Sequence, residues 1–181
     1  EITNESIRQR SKDGMSHIPE DRHKHGLVLD YTLEDNLVLQ RYFEPEFTSK
    51  AGFLRRDNIR KYAERLIEQY DVRSGQGPIT VARSMSGGNQ QKVCLAKAFA
   101  LEPRFLFVSE PTRGIDVGAK YEIYCIIADL AKQGKSIIMI SSEMSEIIGM
   151  SNRVMVMCDG RITGFIDGKD ATQENIMALA T

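Results

Sequence analysis

The chain has 181 residues, of which 41% are hydrophobic and 27% are charged, a balance typical of a globular domain with its own core. The formal net charge is −1, so no basic character favours a nucleic-acid partner. No apolar run approaches the ~20 residues that a membrane-spanning helix needs, and no stretch has the pattern of a signal peptide. The chain begins at Glu1 rather than Met, and we expect it to be part of a longer protein.

The three cysteines, Cys94, Cys125 and Cys158, lie within apolar helix or strand patterns. Their odd number and their lack of metal-binding or disulfide spacing predict reduced thiols in a cytoplasmic protein. His17, His23 and His25 allow a metal site in principle, because His-x-His can bring two imidazoles together. No cysteine or further ligand lies near them in the sequence, which favours histidines in a loop.

The first part of the chain predicts short elements joined by loops. A polar helix at 4–12 is ended by Gly14 and followed by a strand at Met15–Ile18. The segment Thr32–Asp35 resembles a capping box that opens a helix reaching Gln40.

A longer helix is predicted from Asp57 to Tyr70. Its apolar residues recur at helical spacing and predict a stripe that packs in the core rather than a cofactor contact. The stripe comprises Ile59, Tyr62, Ala63, Leu66, Ile67 and Tyr70.

The rest of the chain predicts alternating helices and strands that end in a hairpin and a helix. These elements are a helix that stops before Pro103, a strand at 104–109, a helix at 117–132, a buried strand at 136–141, a helix at 146–150, a hairpin at 154–158 and 162–166, and a final helix to Ala180 capped by Asp170 with Gln173 reaching back.

The sequence Ser86-Gly87-Gly88-Asn89-Gln90 opens one of these helices. Two glycines let the backbone approach a ligand closely, and the start of a helix has unpaired N–H groups that suit a phosphate. An ordinary serine cap at the start of a helix explains the same residues equally well.

The apolar run Phe105–Val108 is typical of a strand covered on both faces in a parallel sheet, and Glu110-Pro111 follows it. A carboxylate at the carboxyl end of such a strand lies where α/β sheets bind ligands, and Glu110 could polarise a water for attack on a phosphate. A carboxylate that caps the next turn is the alternative.

The order of these pieces is far more specific than either piece alone. The chain reads SGGNQQ, then a helix, then FLFVSEPT, then RGID. This order resembles the ATP-binding domain of ABC transporters. SGGNQQK and EPTRGIDVGAK are most similar to importers of simple sugars and nucleosides, whose ATP-binding protein carries two fused copies of this domain.

The resemblance implies a role for each matching residue. Ser86, Gly87, Gly88, Asn89 and Gln90 would be the signature, which binds the ATP held by a companion domain. Glu110 would be the catalytic glutamate at the end of the Walker B strand, and Asp116 would lie in the D-loop.

Three positions depart from the family pattern. Ser109 stands where the Walker B aspartate helps to hold Mg²⁺, and a hydroxyl is a weak partner for that cation. Glu20 stands at the glutamine of the Q-loop, within a PEDR sequence that is usual in the second copy of these importers. Ser142 stands at the switch histidine.

No GxxxxGK[ST] phosphate loop occurs in the chain. Gly134-Lys135-Ser136 is not one, because Asp129 replaces the required glycine and the triplet leads from a helix to a strand. In ABC domains the phosphate loop precedes the region that this chain matches, so we expect an ABC domain of P-loop NTPase type, α/β, truncated at its N-terminus.

The resemblance also implies an organisation in three segments. Residues 1–31 would begin the ATPase core and contain the Q-loop position. Residues 32–99 would form a helical subdomain ending in the signature and its helix. Residues 100–181 would complete the core with the Walker B strand, the D-loop, the switch region, the hairpin and the last helix.

We therefore expect an ATPase that uses ATP and Mg²⁺ as part of a sugar or nucleoside importer, on a chain that is inactive alone. The implied partners are a companion nucleotide-binding domain, transmembrane permease subunits and a periplasmic or lipoprotein substrate-binding protein, with no nucleic acid. The implied location is cytoplasmic, peripheral on the inner face of the bacterial membrane.

Two alternatives remain at this point. A DNA-maintenance ATPase with split ABC lobes also carries its signature on a chain without the phosphate loop, but it needs long heptad helices that this sequence lacks. A non-catalytic fragment that only binds a partner domain is the second alternative.

Overall fold

The computed structural model describes residues 2–181. The chain divides into two compact units, one ending at Ile138 and one running from Met139 to Thr181. The three predicted segments with bounds at 31 and 99 do not correspond to this division and stay predictions.

The first unit contains five α-helices among its described residues. They are α1 (Ile7–Lys12), α2 (Leu33–Val38), α3 (Arg56–Gln69), α4 (Gly87–Phe99) and α5 (Val117–Lys132). A π-helical turn at Arg22–Gly26 and 3₁₀ turns at Gly77–Ile79 and Ala82–Ser84 complete the helical structure. The sequence predicted the five helices but none of these three turns.

Side chains at their N-caps define where most of these helices begin. Thr32, Ser86 and Asp116 each accept a hydrogen bond from the backbone N–H three residues later. Such a cap satisfies one of the N–H groups that the first turn of a helix leaves unpaired. The Thr32 hydroxyl also donates to Asp35 Oδ2 at 2.8 Å, so the predicted cap of α2 is confirmed.

A three-stranded sheet is formed by β1 (Met15–Ile18), β2 (Phe105–Ser109) and β3 (Ser136–Ile140), in the order β1-β2-β3. Strands β1 and β2 are parallel, with Met15 opposite Phe105 and Ile18 opposite Val108. This parallel pair, flanked by helices, agrees with the predicted α/β class.

Burial of the strands is less complete than the sequence predicted. In β2, Leu106 and Val108 are buried, whereas Phe105 and Phe107 on the other face are half-buried. The side chains of β3 are more open still, with Ile140 53% exposed. The prediction of a buried β3 is therefore wrong, because β3 is an edge strand of the described sheet.

The main core of the first unit lies between α2, α3 and α4. The predicted stripe on α3 is confirmed, since Ile59, Tyr62, Ala63 and Leu66 are buried and Ile67 and Tyr70 pack at the margin. The ring of Phe47 lies 4.9 Å from that of Tyr62, centroid to centroid. This packing fixes the position of α4, at whose start the predicted signature lies.

The second unit contains α6 (Met144–Met150), the antiparallel strands β4 (Arg153–Cys158) and β5 (Arg161–Asp167), a 3₁₀ turn at Gly168–Asp170 and α7 (Gln173–Ala180). The predicted hairpin is confirmed. The predicted cap of the last helix is wrong: Thr172, not Asp170, accepts from Asn175 N, because Asp170 belongs to the 3₁₀ turn.

Among residues 2–181, no helix combines the length and the apolar character that crossing a membrane requires.

The buried side chain of Asn36 joins α2 to the loop before it. Its Oδ1 accepts from Val28 N at 2.8 Å, and its Nδ2 donates to the carbonyls of Val28 at 3.0 Å and Thr32 at 3.1 Å. Asn58, on α3, makes one bond from its side chain, to the Glu46 carbonyl. The two asparagines form a matched pair for mutation.

We expect Asn36→Ala to lower the free energy of unfolding by about 2 kcal/mol, because it removes all side-chain bonds of this buried amide and leaves the N–H of Val28 without its partner. Asn58→Ala, at a more open position, should cost less than about 1 kcal/mol. Urea unfolding followed by circular dichroism measures both values. Equal losses in the two variants would contradict the role given to Asn36.

Candidate functional site

An open cleft of about 280 Å³ lies where α4 and α5 begin. Two groups of residues line it: Ser86, Gly88 and Asn89 from the start of α4, and Asp116, Gly118 and Ala119 from the start of α5, with Arg73, Lys92 and Glu122 completing the wall. We call Ser86–Asn89 the signature turn and Arg113–Asp116 the D-loop turn. The cleft therefore brings together residues that the sequence placed in two separate motifs.

Ser86 is exposed and is the N-cap of α4. Its hydroxyl oxygen accepts from Asn89 N at 3.4 Å and from Asn89 Nδ2 at 3.0 Å. In both bonds the hydroxyl is the acceptor, so its proton can be donated to a ligand. A helix start with a hydroxyl donor suits an anionic group such as a phosphate.

Gly87 and Gly88 do not have positive φ, so their backbone conformation does not require glycine. What distinguishes them is the lack of a Cβ, which leaves room for close neighbours. A Cβ on Gly88 would lie 2.7 Å from the Cβ of Ala119, and a Cβ on Gly87 would lie 2.9 Å from Nη2 of Arg22. The sequence suggested that these glycines let a ligand approach. The structure shows that they also let α5 and Arg22 approach.

Asn89 and Gln90 are bonded within the protein. Asn89 Oδ1 accepts from Arg73 N at 2.8 Å. Gln90 is buried, and its Nε2 donates to the Ala82 carbonyl at 3.0 Å. Its Oε1 therefore accepts from His23 Nε2 at 2.8 Å, which places a proton on that ring nitrogen. ATP binding by these two residues stays a prediction.

A charged network forms the wall of the cleft behind the signature turn. The buried ammonium of Lys92 lies 2.8 Å from Glu122 Oε2 and 3.2 Å from Asp71 Oδ2, and it donates to the Asp71 carbonyl at 2.8 Å. A buried lysine needs such partners, because an unpaired charge in the interior is costly. The network fixes α4 against α5 and the end of α3.

Residues in and next to the π-helical turn bind the D-loop turn through a hydrogen bond and an ion pair. Asp116 caps α5 by accepting from Ala119 N at 3.0 Å. Arg22 Nη1 donates to the Arg113 carbonyl at 2.8 Å, and the side chain of Arg113 pairs with Glu20. Glu20, at the predicted Q-loop position, is thus bonded to the D-loop turn.

Glu110 and Ser109 lie at the carboxyl end of β2 and do not line the cleft. Glu110 is in the left-handed region, with φ of +48°, and its carbonyl accepts from Arg113 N at 3.2 Å. A side chain with a Cβ is strained in this region. Asp71, Glu102 and Asp159 have nearly the same φ, so the conformation does not distinguish Glu110 as catalytic. The catalytic role of Glu110 stays a prediction.

Ser142, at the predicted switch position, belongs to the second unit and follows β3. The neighbouring Ser141 hydroxyl donates to Glu146 Oε2 at 2.6 Å and accepts from Glu143 N at 3.0 Å. These bonds order the entry to α6.

The donor groups present fit a phosphate better than a metal ion. The hydroxyl of Ser109 and the arginine-paired carboxylate of Glu20 are poor ligands for Mg²⁺, which prefers unshared carboxylates. Within residues 2–181 no three His, Cys, Asp or Glu side chains gather as metal ligands, the histidines included.

Sequence reasoning missed Arg22, His23, Lys92 and Glu122. The sequence presents Arg22 only as part of PEDR and His23 only as a possible metal ligand. Their partners lie 91 and 67 positions away, so no local pattern reveals them. Lys92 is within SGGNQQK, but nothing in that motif indicates burial.

Comparison with known proteins decides the family. A family model described as ABC transporter matches residues 1–113, which is more than half of the chain. The chain belongs to the ABC transporter family.

Curated relatives of this ABC transporter chain are import proteins. The galactose/methyl galactoside import ATP-binding protein of Clostridium tetani is 47% identical, with 94% of this chain and 33% of that protein covered. A ribose import ATP-binding protein of Streptococcus agalactiae is 43% identical (100% and 36% covered), and the nucleoside import ATP-binding protein of Lactococcus lactis is 41% identical (99% and 35% covered). The chain spans about a third of the length of these relatives.

Solved structures confirm the predicted fold. A nucleotide-free ATP-binding cassette from an ABC transporter superposes with a TM-score of 0.76 at 16% identity, covering 98% of this chain and 70% of that one. A cassette bound to ADP and Pi gives 0.70 at 17% identity, covering 91% and 68%. At this identity the likeness establishes the α/β cassette fold alone.

The strain at Glu110 can be measured. We expect Glu110→Gly to be more stable than Glu110→Ala by about 1 kcal/mol, because glycine adopts positive φ without the steric penalty. Urea unfolding compares the two variants.

The exposed Glu64 within α3 supplies the control. There Gly should be less stable than Ala by about 1 kcal/mol, since the helix interior disfavours glycine. The same order of stability at both positions would contradict a strained Glu110.

Proposed function

We propose that this chain is part of the ATP-binding subunit of a sugar or nucleoside importer, and that its signature turn completes an ATP site on a companion domain. The observation that carries the proposal is the open cleft in which Ser86, Gly88 and Asp116 meet at the starts of two helices. The family and the names of the relatives supply the reaction class.

The chemistry of the cleft supports phosphate binding. The positive end of α4 attracts an anion, and the Ser86 hydroxyl has a proton to donate, whereas the start of α5 is already capped by the carboxylate of Asp116. Because the signature is proposed to act in trans, the nucleotide in this cleft would be held mainly by the companion domain. ATP hydrolysis there would require the two domains to close on each other.

The site that this chain could build for itself is chemically weak. By the sequence resemblance, Ser109 stands where the family has an acidic side chain, and the carboxylate of Glu20 is paired with Arg113. We infer that this copy turns over ATP poorly, while Glu110 would orient water at whatever site it serves. Mg²⁺ would be bound with ATP on the companion domain.

The proposal includes a membrane permease and a substrate-binding protein, because the relatives are import proteins. Large apolar side chains exposed between α2 and α3 support a protein contact there. They include Tyr42, Phe43, Phe53 and Leu54, with Phe53 75% exposed. The chain would then lie at the inner face of the membrane through its partners, and the cargo would be selected by them.

We expect the isolated chain to show no micromolar binding of ATP with Mg²⁺ in calorimetry, because the groups that it offers act only in trans. Adding the companion domain should restore binding. Micromolar binding by the chain alone would mean that it contains its own phosphate cradle.

In the complete transporter, loss of Ser86 should matter more than loss of Glu110. We expect Ser86→Asp to lower ATP-driven transport by on the order of tenfold or more, since its charge opposes a phosphate while it still caps α4. Glu110→Gln should lower transport by less than about threefold, because its own site contributes little. Vesicle uptake of radiolabelled cargo measures both.

Ser84→Ala is the control, since Ser84 is an exposed serine two residues earlier whose hydroxyl bonds only locally, to the Val81 carbonyl. It should leave transport unchanged. A larger loss for Glu110→Gln than for Ser86→Asp would refute the division of roles between the two sites.

A further inference from the structure

The π-helical turn at Arg22–Gly26 contacts both halves of the cleft. Its backbone is fixed by Asp21, whose Oδ1 accepts from His23 N at 2.9 Å and from Lys24 N at 3.0 Å. Such a carboxylate cap holds Arg22 in a defined direction. Nothing in the proposed trans mechanism assigns a role to this turn.

Arg22 contacts the D-loop turn through its backbone. Nη1 donates to the Arg113 carbonyl at 2.8 Å, and Nη2 lies 3.5 Å from the Gly114 carbonyl, at the long limit for a hydrogen bond. A charged donor makes a stronger bond to a carbonyl than a neutral one does. Gly114 has φ of +68°, a backbone conformation that favours glycine.

The same guanidinium contacts the signature turn. A Cβ on Gly87 would lie 2.9 Å from Arg22 Nη2 and 3.4 Å from the Gly114 carbonyl. Gly87, the guanidinium and the D-loop carbonyl therefore pack closely, and a methyl group on residue 87 would displace the guanidinium from its present position. Arg22 Nε is buried without a hydrogen-bond partner, so the side chain is held there at a cost in desolvation.

The rest of the π-helical turn is attached along α4. His23 Nε2 donates to Gln90 at 2.8 Å, and the buried ammonium of Lys97 donates to the Gly26 carbonyl. A Cβ on Gly26 would lie 2.8 Å from Cys94 Sγ. Burial raises the pKa of the Cys94 thiol to about 11, so at neutral pH it is an uncharged packing group.

The neighbouring ion pair between Glu20 and Arg113 contributes little to holding the π-helical turn against the D-loop turn. Glu20 and Arg113 are more than half exposed, and pairs at that exposure contribute little. The bonds of Arg22 to the backbone are therefore the main link between the π-helical turn and the D-loop turn.

We propose that Arg22 is a positioning residue that joins the signature turn and the D-loop turn into one surface, so that both engage the companion domain's nucleotide together. The consequence for catalysis rests on the proposed function. Without Arg22 the two turns would move independently, and fewer encounters would reach the closed state. The affinity for ATP, set by the companion domain, would change little.

Hydrogen–deuterium exchange on the complete protein tests whether Arg22 joins the signature turn to the D-loop turn. In Arg22→Met we expect amides of Arg113–Asp116 and of Ser86–Asn89 to exchange about tenfold faster, the effect of losing one charge-assisted hydrogen bond. Lys24→Met is the matched control, because Lys24 is an exposed cation in the same turn. Faster exchange in only one of the two turns would overturn the proposal.

Gly87→Ala is a second variant in case Arg22→Met fails to fold. Its methyl group should displace the guanidinium and speed exchange in the D-loop turn, which carries no mutation. In the double variant with Arg22→Met the D-loop turn should exchange no faster than in either single variant, since both act on one contact. Additive effects would overturn the proposal.

Steady-state ATP hydrolysis by the complete transporter tests whether joining the two turns affects catalysis. Arg22→Met should lower kcat about tenfold with KM for ATP within about twofold, and Arg22→Lys should recover part of the loss through a single donor. Faster exchange with an unchanged kcat would overturn the positioning role while the trans site stands. A wild-type protein without ATPase would overturn the proposed function, and the exchange data alone would then decide whether Arg22 joins the two turns.

Discussion

The close approach of α4 to α5 is the constraint on which the candidate site depends. Only a glycine at position 88 allows it, because a Cβ there would lie 2.7 Å from that of Ala119. The approach places the Ser86 and Asp116 caps around one cleft, and it sets Lys92 within 2.8 Å of Glu122. The buried ion pair then opposes separation of the helices, since pulling them apart would leave a buried ammonium with fewer partners. Packing and electrostatics thus stabilise the same geometry.

Local patterns were sufficient to predict most elements of this fold. The stripe on α3, the cap at Thr32 and the hairpin β4–β5 depend on residues within a few positions of each other, so the sequence contains their signals. The exposure of β3 and the π-helical turn could not be predicted in this way. Strand burial depends on which elements cover the sheet, and the π-helical turn is stabilised by α4 and the D-loop turn, far away in the sequence.

The same distinction applies to the candidate site. Motif order alone was enough to single out Ser86, Gly88 and Asp116, because each motif is short and contiguous, but it did not predict that the two motifs line one cleft. The residues that hold those motifs in place were not predictable. Arg22 donates to a backbone carbonyl, and every residue type has one, so the sequence does not reveal this partner. His23 binds Gln90, which the sequence does not distinguish from its neighbour Gln91.

The sequence resemblance, a matching signature beside three positions that depart from the family pattern, is chemically coherent if the site is shared between two domains. Each domain then supplies one half of each site, and the two halves on one chain can change independently. Glu20, at the predicted Q-loop position, is paired with Arg113 next to the D-loop turn. On the proposed function, the chain has lost a residue that served its own site and gained a contact that supports the turn serving the other site. The altered positions would then belong to one ATP site and the cleft to the other, so each could change without the other.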